Sequence, residues 1–146
     1  MRQTLKAIVL ACTLLVISVP VFAQSRFNPD GAFWIIGEAP EGFADFGAIN
    51  LNGRRVRRLP SQGLELNNGK RYPFKTAIIK RENLTFTTLT VGGVYYTFVG
   101  KFLRGGVFAE QDLADEQPVL EGVLTKYKSG QKVAEAKMKF SYFGGT

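Results

Sequence analysis

The sequence predicts an all-β protein, an antiparallel meander of about 8–10 strands that closes into a small barrel. Runs rich in Val, Ile, Thr, Phe and Tyr follow one another from residue 31 onward. Pairs that tolerate a positive φ separate these runs, at Asn52-Gly53, Asn68-Gly69, Gly92-Gly93, Gly105-Gly106 and Ser129-Gly130. Helical periodicity is lacking, apart from a short turn expected within 107–116 and ended by Pro118. A β-sandwich is the alternative architecture.

Residues 1–23 have the three-part layout of a secretory signal peptide. Arg2 and Lys6 precede an apolar run over 7–19. Val21 and Ala23 then occupy the −3 and −1 positions of the expected cleavage site, which lies after Ala23. The run is short for a membrane anchor, which needs about 20 residues. We therefore expect a single β domain over 24–146, exported to a bacterial periplasm or to the extracellular space. Cys12 belongs to the signal peptide, so this domain contains no cysteine and no disulfide.

The first half of the domain supplies six strand candidates of uneven quality. They are expected at 33–38, 43–51, 54–59, 63–66, 70–80 and 83–91. The next candidate, 94–104, is apolar on both faces, since Tyr95, Val99 and Leu103 alternate with its inward set. This strand is expected to be central and covered on both sides, or to offer one face to a partner.

The last two strands, 119–128 and 131–142, alternate most clearly. Leu120, Gly122 and Leu124 are expected to face the core together with Ala134, Ala136, Met138 and Phe140. A turn with Gly130 in the left-handed conformation would give this register. Small inward residues, among them Gly100 and Gly122, mixed with large aromatics suit a tightly curved sheet.

Composition argues against enzymatic chemistry. The chain has no histidine, and after signal removal no cysteine, so imidazole and thiolate catalysis are excluded. Asp45, Glu65 and Glu121 are possible catalytic carboxylates by residue type alone, with no spacing that links them. The sequence predicts a non-enzymatic protein that needs no cofactor and no metal.

A basic segment over 54–81 is the main candidate for binding. It holds nine basic residues and one acid, Glu65. Clustered arginines make bidentate contacts with phosphate and carboxylate, which predicts a polyanion site. Its candidate residues are Arg54, Arg55, Arg57, Arg58, Lys70 and Arg71. The partner would be an acidic polysaccharide or a lipid phosphate; nucleic acid is disfavoured for an exported chain. The alternative is an edge strand that charge protects from aggregation, and it is the favoured interpretation because charge is the usual protection of an edge strand.

The acidic stretch 110–116 opposes this segment in sign. Asp112, Asp115 and Glu116 could offer oxygen ligands to calcium, but their spacing differs from the EF-hand loop, and a solvated loop is favoured. Opposite charges on one molecule would permit head-to-tail self-association.

The aromatic residues favour core packing, with an apolar ligand inside the barrel as the alternative. The set is Phe33, Trp34, Tyr95, Tyr96, Phe98, Phe102, Phe140, Tyr142 and Phe143. The segment 31–36, followed by Pro40 and Phe43, resembles the first-strand motif of lipocalins, which implies a ligand-carrying barrel. It has one residue too many between Gly31 and Trp34, and no binding residue is carried over.

Two functional classes follow from these patterns. The first is an exported, non-enzymatic β-barrel that binds a ligand or acts as a structural partner. The second is a small outer-membrane barrel, because the alternating runs 94–104 and 131–142 are long enough to cross a bilayer as strands. The basic residues of 54–58 argue against the second class, since they are difficult to place in lipid.

Overall fold

The computed structural model describes residues 26–51 and 62–143, which form eight strands and one short helix. The strands are β1 (Gly31–Ile35), β2 (Phe46–Leu51), β3 (Gly63–Leu66), β4 (Arg71–Lys80), β5 (Asn83–Thr88), β6 (Val94–Phe102), β7 (Leu120–Lys128) and β8 (Gln131–Phe143), and the 3₁₀ helix η1 spans Phe108–Glu110. The helix lies within the stretch where a short turn was predicted. The strand predicted at 54–59 and the signal peptide fall outside the described residues.

Each strand pairs with its neighbours in the chain, and β1 pairs with β8 to close the barrel. The antiparallel meander and the barrel are confirmed, and the sandwich alternative is wrong. Closure runs from Ala32 opposite Phe143 to Ile35 opposite Phe140. The backbone amide of Ile36 extends it by donating to the carbonyl of Lys139 at 2.9 Å. All described strands thus have a partner on both sides.

The meander places the connections at two ends. The turn end carries residues 36–45, 67–70, 89–93 and 129–130, and the loop end carries 81–82 and 103–119. The N-terminal segment also lies at the loop end, since Asn28 forms a bridge with Val107. Leu51 and Gln62, which border residues 52–61, lie at this same end.

The β7–β8 hairpin has the predicted register. Leu120, Gly122 and Leu124 lie opposite Phe140, Met138 and Ala136. Ser129 and Gly130 have φ values of 50° and 79°, so both central residues of the turn are left-handed, as a type I′ turn requires. This turn matches the right-handed twist of the flanking strands and pairs Lys128 with Gln131. A β-bulge between Lys126 and Tyr127 then shifts the register by one residue, so the turn and the bulge together fix which side chains face the core.

Two glycines allow the sheet to curve at the centre of β6 and β7. Gly100 lies directly opposite Gly122, and the Phe98 ring covers the position where a Cβ of either glycine would stand. An aromatic ring thus fills the space that two missing side chains leave. The predicted mixture of small and aromatic inward residues is confirmed, because curvature brings the inner positions of neighbouring strands close together.

The early strands differ from the sequence prediction at their ends. β1 ends at Ile35 rather than 38, and β2 begins at Phe46 rather than 43. Residues 40–46 instead form two successive turns. The backbone amide of Phe43 donates a hydrogen bond to the carbonyl of Pro40, and the amide of Phe46 donates to the carbonyl of Phe43. The Phe43 side chain is nevertheless buried in the core, which explains why its apolar character suggested a strand residue.

The core is the barrel interior. One inner row, Phe33, Ile49, Leu64 and Tyr72, crosses β1 to β4, and all four side chains are buried. Outward positions of β7 and β8 carry charged side chains, among them Glu121, Lys137 and Lys139. The barrel therefore has an apolar interior, and its described outer face mixes charged side chains with exposed apolar ones such as Trp34 and Val133.

β6 pairs with β5 and β7, but every strand of the closed barrel has two neighbours, and the described residues do not cover the outer face of β6. The predicted coverage on both sides is therefore wrong for the described residues, and a face offered to a partner stays a prediction. Val99 is 64% exposed and Leu103 is 40% exposed. Val99 lies opposite the partly exposed Val123 on β7. The double-sided apolar pattern of 94–104 therefore combines a core face with a small exposed aliphatic patch.

Candidate functional site

The predicted polyanion residues do not form one cluster. Arg54, Arg55, Arg57 and Arg58 lie outside the described residues, and their stretch is bordered by Leu51 and Gln62 at the loop end. Lys70 and Arg71 lie at the other end of β3, next to the turn end. The continuous basic segment of the sequence is thus divided by a strand that crosses the barrel.

Lys70 and Arg71 both contact neighbouring side chains. Arg71 forms an ion pair with Glu65, with 3.5 Å from Nε to Oε2. The Lys70 ammonium lies 5.4 Å from the centre of the Tyr72 ring. The ion pair is on the surface, where such pairs contribute about 0–1 kcal/mol, whereas the exposed Lys70 lies over the buried Tyr72 ring.

The acidic stretch is held against the loop end of the barrel. Phe108 is fully buried, and its ring contacts Phe27, Phe33 and Phe102. The connection that carries residues 110–116 therefore lies at the same end as Leu51 and Gln62. Head-to-tail self-association stays a prediction. Across 26–51 and 62–143, no three His, Cys, Asp or Glu side chains are grouped to hold a metal ion.

The aromatic set divides between the inside and the outside of the barrel. Phe33, Tyr96, Phe98, Phe102, Phe140 and Tyr142 face inward, and Trp34, Tyr95 and Phe143 face outward. The inner rings contact one another, for example Phe86 with Phe98 at 5.3 Å and Phe98 with Phe140 at 5.8 Å between ring centres. Core packing is therefore the role of the inward rings, and the outward rings need another explanation.

A groove of about 540 Å³ lies on the outer face of β1, β2 and β3. Two rows of the sheet form it. Phe143, Ala32 and Asn50 lie side by side in one row, and Trp34, Ala48 and Glu65 in the next. We call this feature the outer groove. Its floor is made of small residues, one wall is aromatic and the other is polar.

The aromatic wall is Trp34 and Phe143. Their ring centres are 5.8 Å apart at an interplanar angle of 61°, an edge-on arrangement that leaves ring surface open. Trp34 is 50% exposed and Phe143 is 49% exposed. The two half-exposed rings thus present an apolar surface at one side of the groove.

The polar wall is a short hydrogen-bonded chain. The Asn50 side-chain amide donates to Oε2 of Glu65 at 3.3 Å, and the Arg71 Nη2 donates to Oε1 at 3.5 Å. Arg71 thereby balances the negative charge of the carboxylate next to the groove. The amide of Asn67 also lines the groove. This wall offers hydrogen-bond donors and acceptors without a net charge.

Sequence reasoning missed this polar wall. Glu65 was considered as a catalytic carboxylate by type, whereas in the fold it pairs with Arg71, and Asn50 was not considered. A possible signal was that both residues interrupt short apolar strands at outward positions. Register alone brings the two side chains together, and Ala48 lies opposite Glu65 only after a β-bulge between Phe46 and Ala48.

A second cavity, of about 240 Å³, lies at the turn end of the barrel. Phe43, Asp45, Tyr96 and Lys126 line it, and the Lys126 ammonium donates to the carbonyl of Gly42 at 3.4 Å. Burial, and then the neighbouring Tyr72 phenol and Asp45, raise the pKa of Tyr96 from 10.0 to about 12. Tyr96 therefore stays protonated at neutral pH, and its role here is packing and hydrogen bonding.

Comparisons of the chain with protein-family profiles, with curated proteins and with solved structures found no match. In the ranges that the structure describes, no helix is sufficiently long and apolar to cross a membrane. The functional conclusion therefore depends on the residues and their geometry alone.

Proposed function

We propose that this protein is an exported, non-enzymatic β-barrel that binds an acidic polysaccharide through the arginines of 54–58. One observation carries the proposal, namely where the positive charge is located. The described residues contain 13 basic and 12 acidic side chains, so the barrel itself is nearly neutral. Four of the remaining basic residues are Arg54, Arg55, Arg57 and Arg58. The surplus charge of the domain is thus concentrated in residues 54–58 of the sequence.

Arginine is the residue type suited to this ligand. Its guanidinium group offers a planar fork of donors that matches carboxylate, sulfate and phosphate groups in a bidentate geometry. Several such groups close together in the chain attract a polymer with repeated negative charges more strongly than a single anion. Export by a signal peptide over 1–23 would bring the domain to where acidic polysaccharides occur.

A role without catalysis fits the side chains available. The domain over 24–146 has no histidine and no cysteine. Glu65 contacts Arg71 and Asn50, and the Tyr96 phenol is protonated at neutral pH.

The test is retention of the 24–146 domain on immobilised heparin and alginate during a salt gradient. We expect retention by wild type and its loss when Arg54, Arg55, Arg57 and Arg58 are all replaced by Ser, with an unchanged melting temperature. The matched control replaces Lys128, Lys132, Lys137 and Lys139 by Ser, which removes the same charge from the β7–β8 hairpin. Unchanged retention of the arginine variant, or equal losses in both variants, would overturn the proposal.

Anionic vesicles distinguish the second source of the same chemistry. A lipid phosphate offers a comparable negative charge, and binding to phosphatidylglycerol vesicles but to neither polysaccharide would assign the arginines to a membrane surface instead. We expect the opposite result, with binding to the polysaccharides stronger than binding to the vesicles. Binding should weaken steeply with salt in either case, because exposed charges are screened within about 8 Å at physiological ionic strength.

A further inference from the structure

We propose that the outer groove holds a sugar ring of the polysaccharide, packed on Trp34 and Phe143 and hydrogen-bonded to Asn50 and Glu65. This inference rests on the proposed function and names a second contact with the same ligand. A pyranose ring has C–H groups that pack on an aromatic ring and hydroxyl groups around its edge. The outer groove has one aromatic wall and one polar wall, so it complements both parts of such a ring.

The floor allows a ligand to come close to the sheet. Ala32 and Ala48 occupy the centre of the two rows, and Gly31 and Gly47 flank them. None of these residues has a side chain beyond Cβ, so the groove is deep relative to the large rings beside it. Its volume of about 540 Å³ lies within the range of about 300–1,000 Å³ that is usual for small-ligand sites.

The polar wall favours a hydroxyl-rich ligand over a purely apolar one. Each Glu65 oxygen accepts one described hydrogen bond, from Asn50 or from Arg71, and a carboxylate oxygen has room for a further donor. The side-chain oxygen of Asn50 is a further acceptor. A hydrocarbon would leave these polar groups without the hydrogen bonds that they make with water, which costs free energy.

The wall also disfavours a cation as the occupant. Arg71 lies within 3.5 Å of both Glu65 oxygens and balances the charge that would attract one. The nearby ligand atoms are therefore expected to be neutral hydroxyls. Negative groups of the polymer would be recognised elsewhere, and Asn50 is only two residues before the stretch 52–61 that contains the arginines.

The chain has a single tryptophan, Trp34, so its fluorescence reports directly on the outer groove. The probes are alginate and polygalacturonate oligosaccharides, which are acidic, and cellohexaose and chitohexaose, which are neutral. We expect at least one of the two acidic probes, at millimolar concentration, to shift the Trp34 emission to shorter wavelength and to protect Trp34 from acrylamide. Absence of any change with both acidic probes, or a response to the neutral probes alone, would overturn the inference.

Variants locate the contact. Phe143→Ala and Glu65→Gln both retain Trp34 as the fluorescent reporter. We expect each substitution to weaken binding of the sugar probe by about tenfold. The matched control is Tyr127→Ala, because Tyr127 and Tyr95 form another outward ring pair, stacked at 4.6 Å on β6 and β7. If Tyr127→Ala weakens binding as much as Phe143→Ala, or if Phe143→Ala binds as wild type does, the sugar is not in the outer groove.

The two proposals fail separately. The variant with Ser at Arg54, Arg55, Arg57 and Arg58 should lose heparin retention while Trp34 still responds to the sugar probe. Unchanged heparin retention of this variant would reject the arginines as the polyanion site, and the fluorescence test of the outer groove would still apply. Retention by the arginines together with a silent Trp34 rejects the groove alone.

Discussion

At the scale of single residues, Gly122 shows how closely the barrel interior is packed. A Cβ added at this position would stand 2.6 Å from the Cα of Gly100 and would overlap the Phe98 ring. We predict that Gly122→Ala lowers the free energy of unfolding by about 1–3 kcal/mol, as overpacked cores do. Urea denaturation followed by circular dichroism would measure this loss.

The control for Gly122 is Gly105→Ala. Gly105 has no atom within 4 Å of an added Cβ and lies in the connection after β6. Its replacement should change stability by no more than about 0.5 kcal/mol. Similar effects of the two substitutions would show that loss of glycine flexibility, rather than contact with Phe98, is responsible.

Tyr96 makes stability depend on pH at the alkaline end. Its pKa in the folded protein is about 12, against 10.0 for an unperturbed tyrosine, so the unfolded chain releases this proton first. The sign follows directly, since a raised folded pKa gives stability that is complete below pH 10.0 and is lost as pH rises towards about 12. We predict that Tyr96→Phe, compared with wild type in urea titrations over this range, loses stability less steeply. Parallel pH curves for the two proteins would contradict the assignment.

At the scale of elements, the β7–β8 hairpin is specified by its turn. Gly130 has φ 79° with nothing near its missing Cβ, so any penalty there comes from the backbone alone. We predict that Gly130→Ala costs about 1–2 kcal/mol in unfolding free energy, the usual cost of a left-handed L-residue. Ser129→Asn should be neutral within about 0.5 kcal/mol, because Asn accepts the φ of 50° found at this position. Thermal unfolding would measure the stability of both variants. A Gly130→Ala protein as stable as wild type would argue against the type I′ turn.

At the scale of the whole molecule, closure depends on residues that connect the first and last strands. Phe33 is fully buried, and its ring contacts Phe102 on β6, Phe108 on η1 and Tyr142 on β8. We predict that Phe33→Ala destabilises the protein by about 3–5 kcal/mol, because the cavity lies where several elements meet. Its neighbour Trp34 is the control, since this side chain faces outward and Trp34→Ala should cost about 1 kcal/mol or less. Urea titration measures both variants, and equal losses would mean that the two faces of β1 are assigned wrongly.

Much of the fold could be predicted because alternation and turn residues agree in the last strands. Along β8, apolar and charged residues alternate, and Leu124 lies opposite Ala136 as the alternation predicts. The two-residue turn reaches this register through a β-bulge between Lys126 and Tyr127, which the sequence pattern did not predict. Where both signals were present, the strands and the register were confirmed. Where only apolar content was present, as at Phe43, a turn residue was taken for a strand residue.

The outer groove could not be predicted because alternation fails along β1. Every residue from Ala32 to Ile36 is apolar, so the pattern does not tell whether Phe33 or Trp34 faces the core. For the basic segment, too, the sequence did not show which of its residues lie close together. Its charge is plain in the sequence, but β3 crosses the barrel within it and separates Lys70 and Arg71 from Gln62.

By itself, the sequence determined the fold class, the absence of imidazole chemistry and the concentration of positive charge in 54–58. These are properties of composition and local pattern, which do not depend on which strands become neighbours. Only the tertiary structure decided that Trp34 and Phe143 meet, and that Asn50 and Glu65 face them across Ala32 and Ala48. The physical reason is that closure joins β1 to β8 and register joins β1 to β2 and β3, so residues 109 positions apart in the chain form one wall.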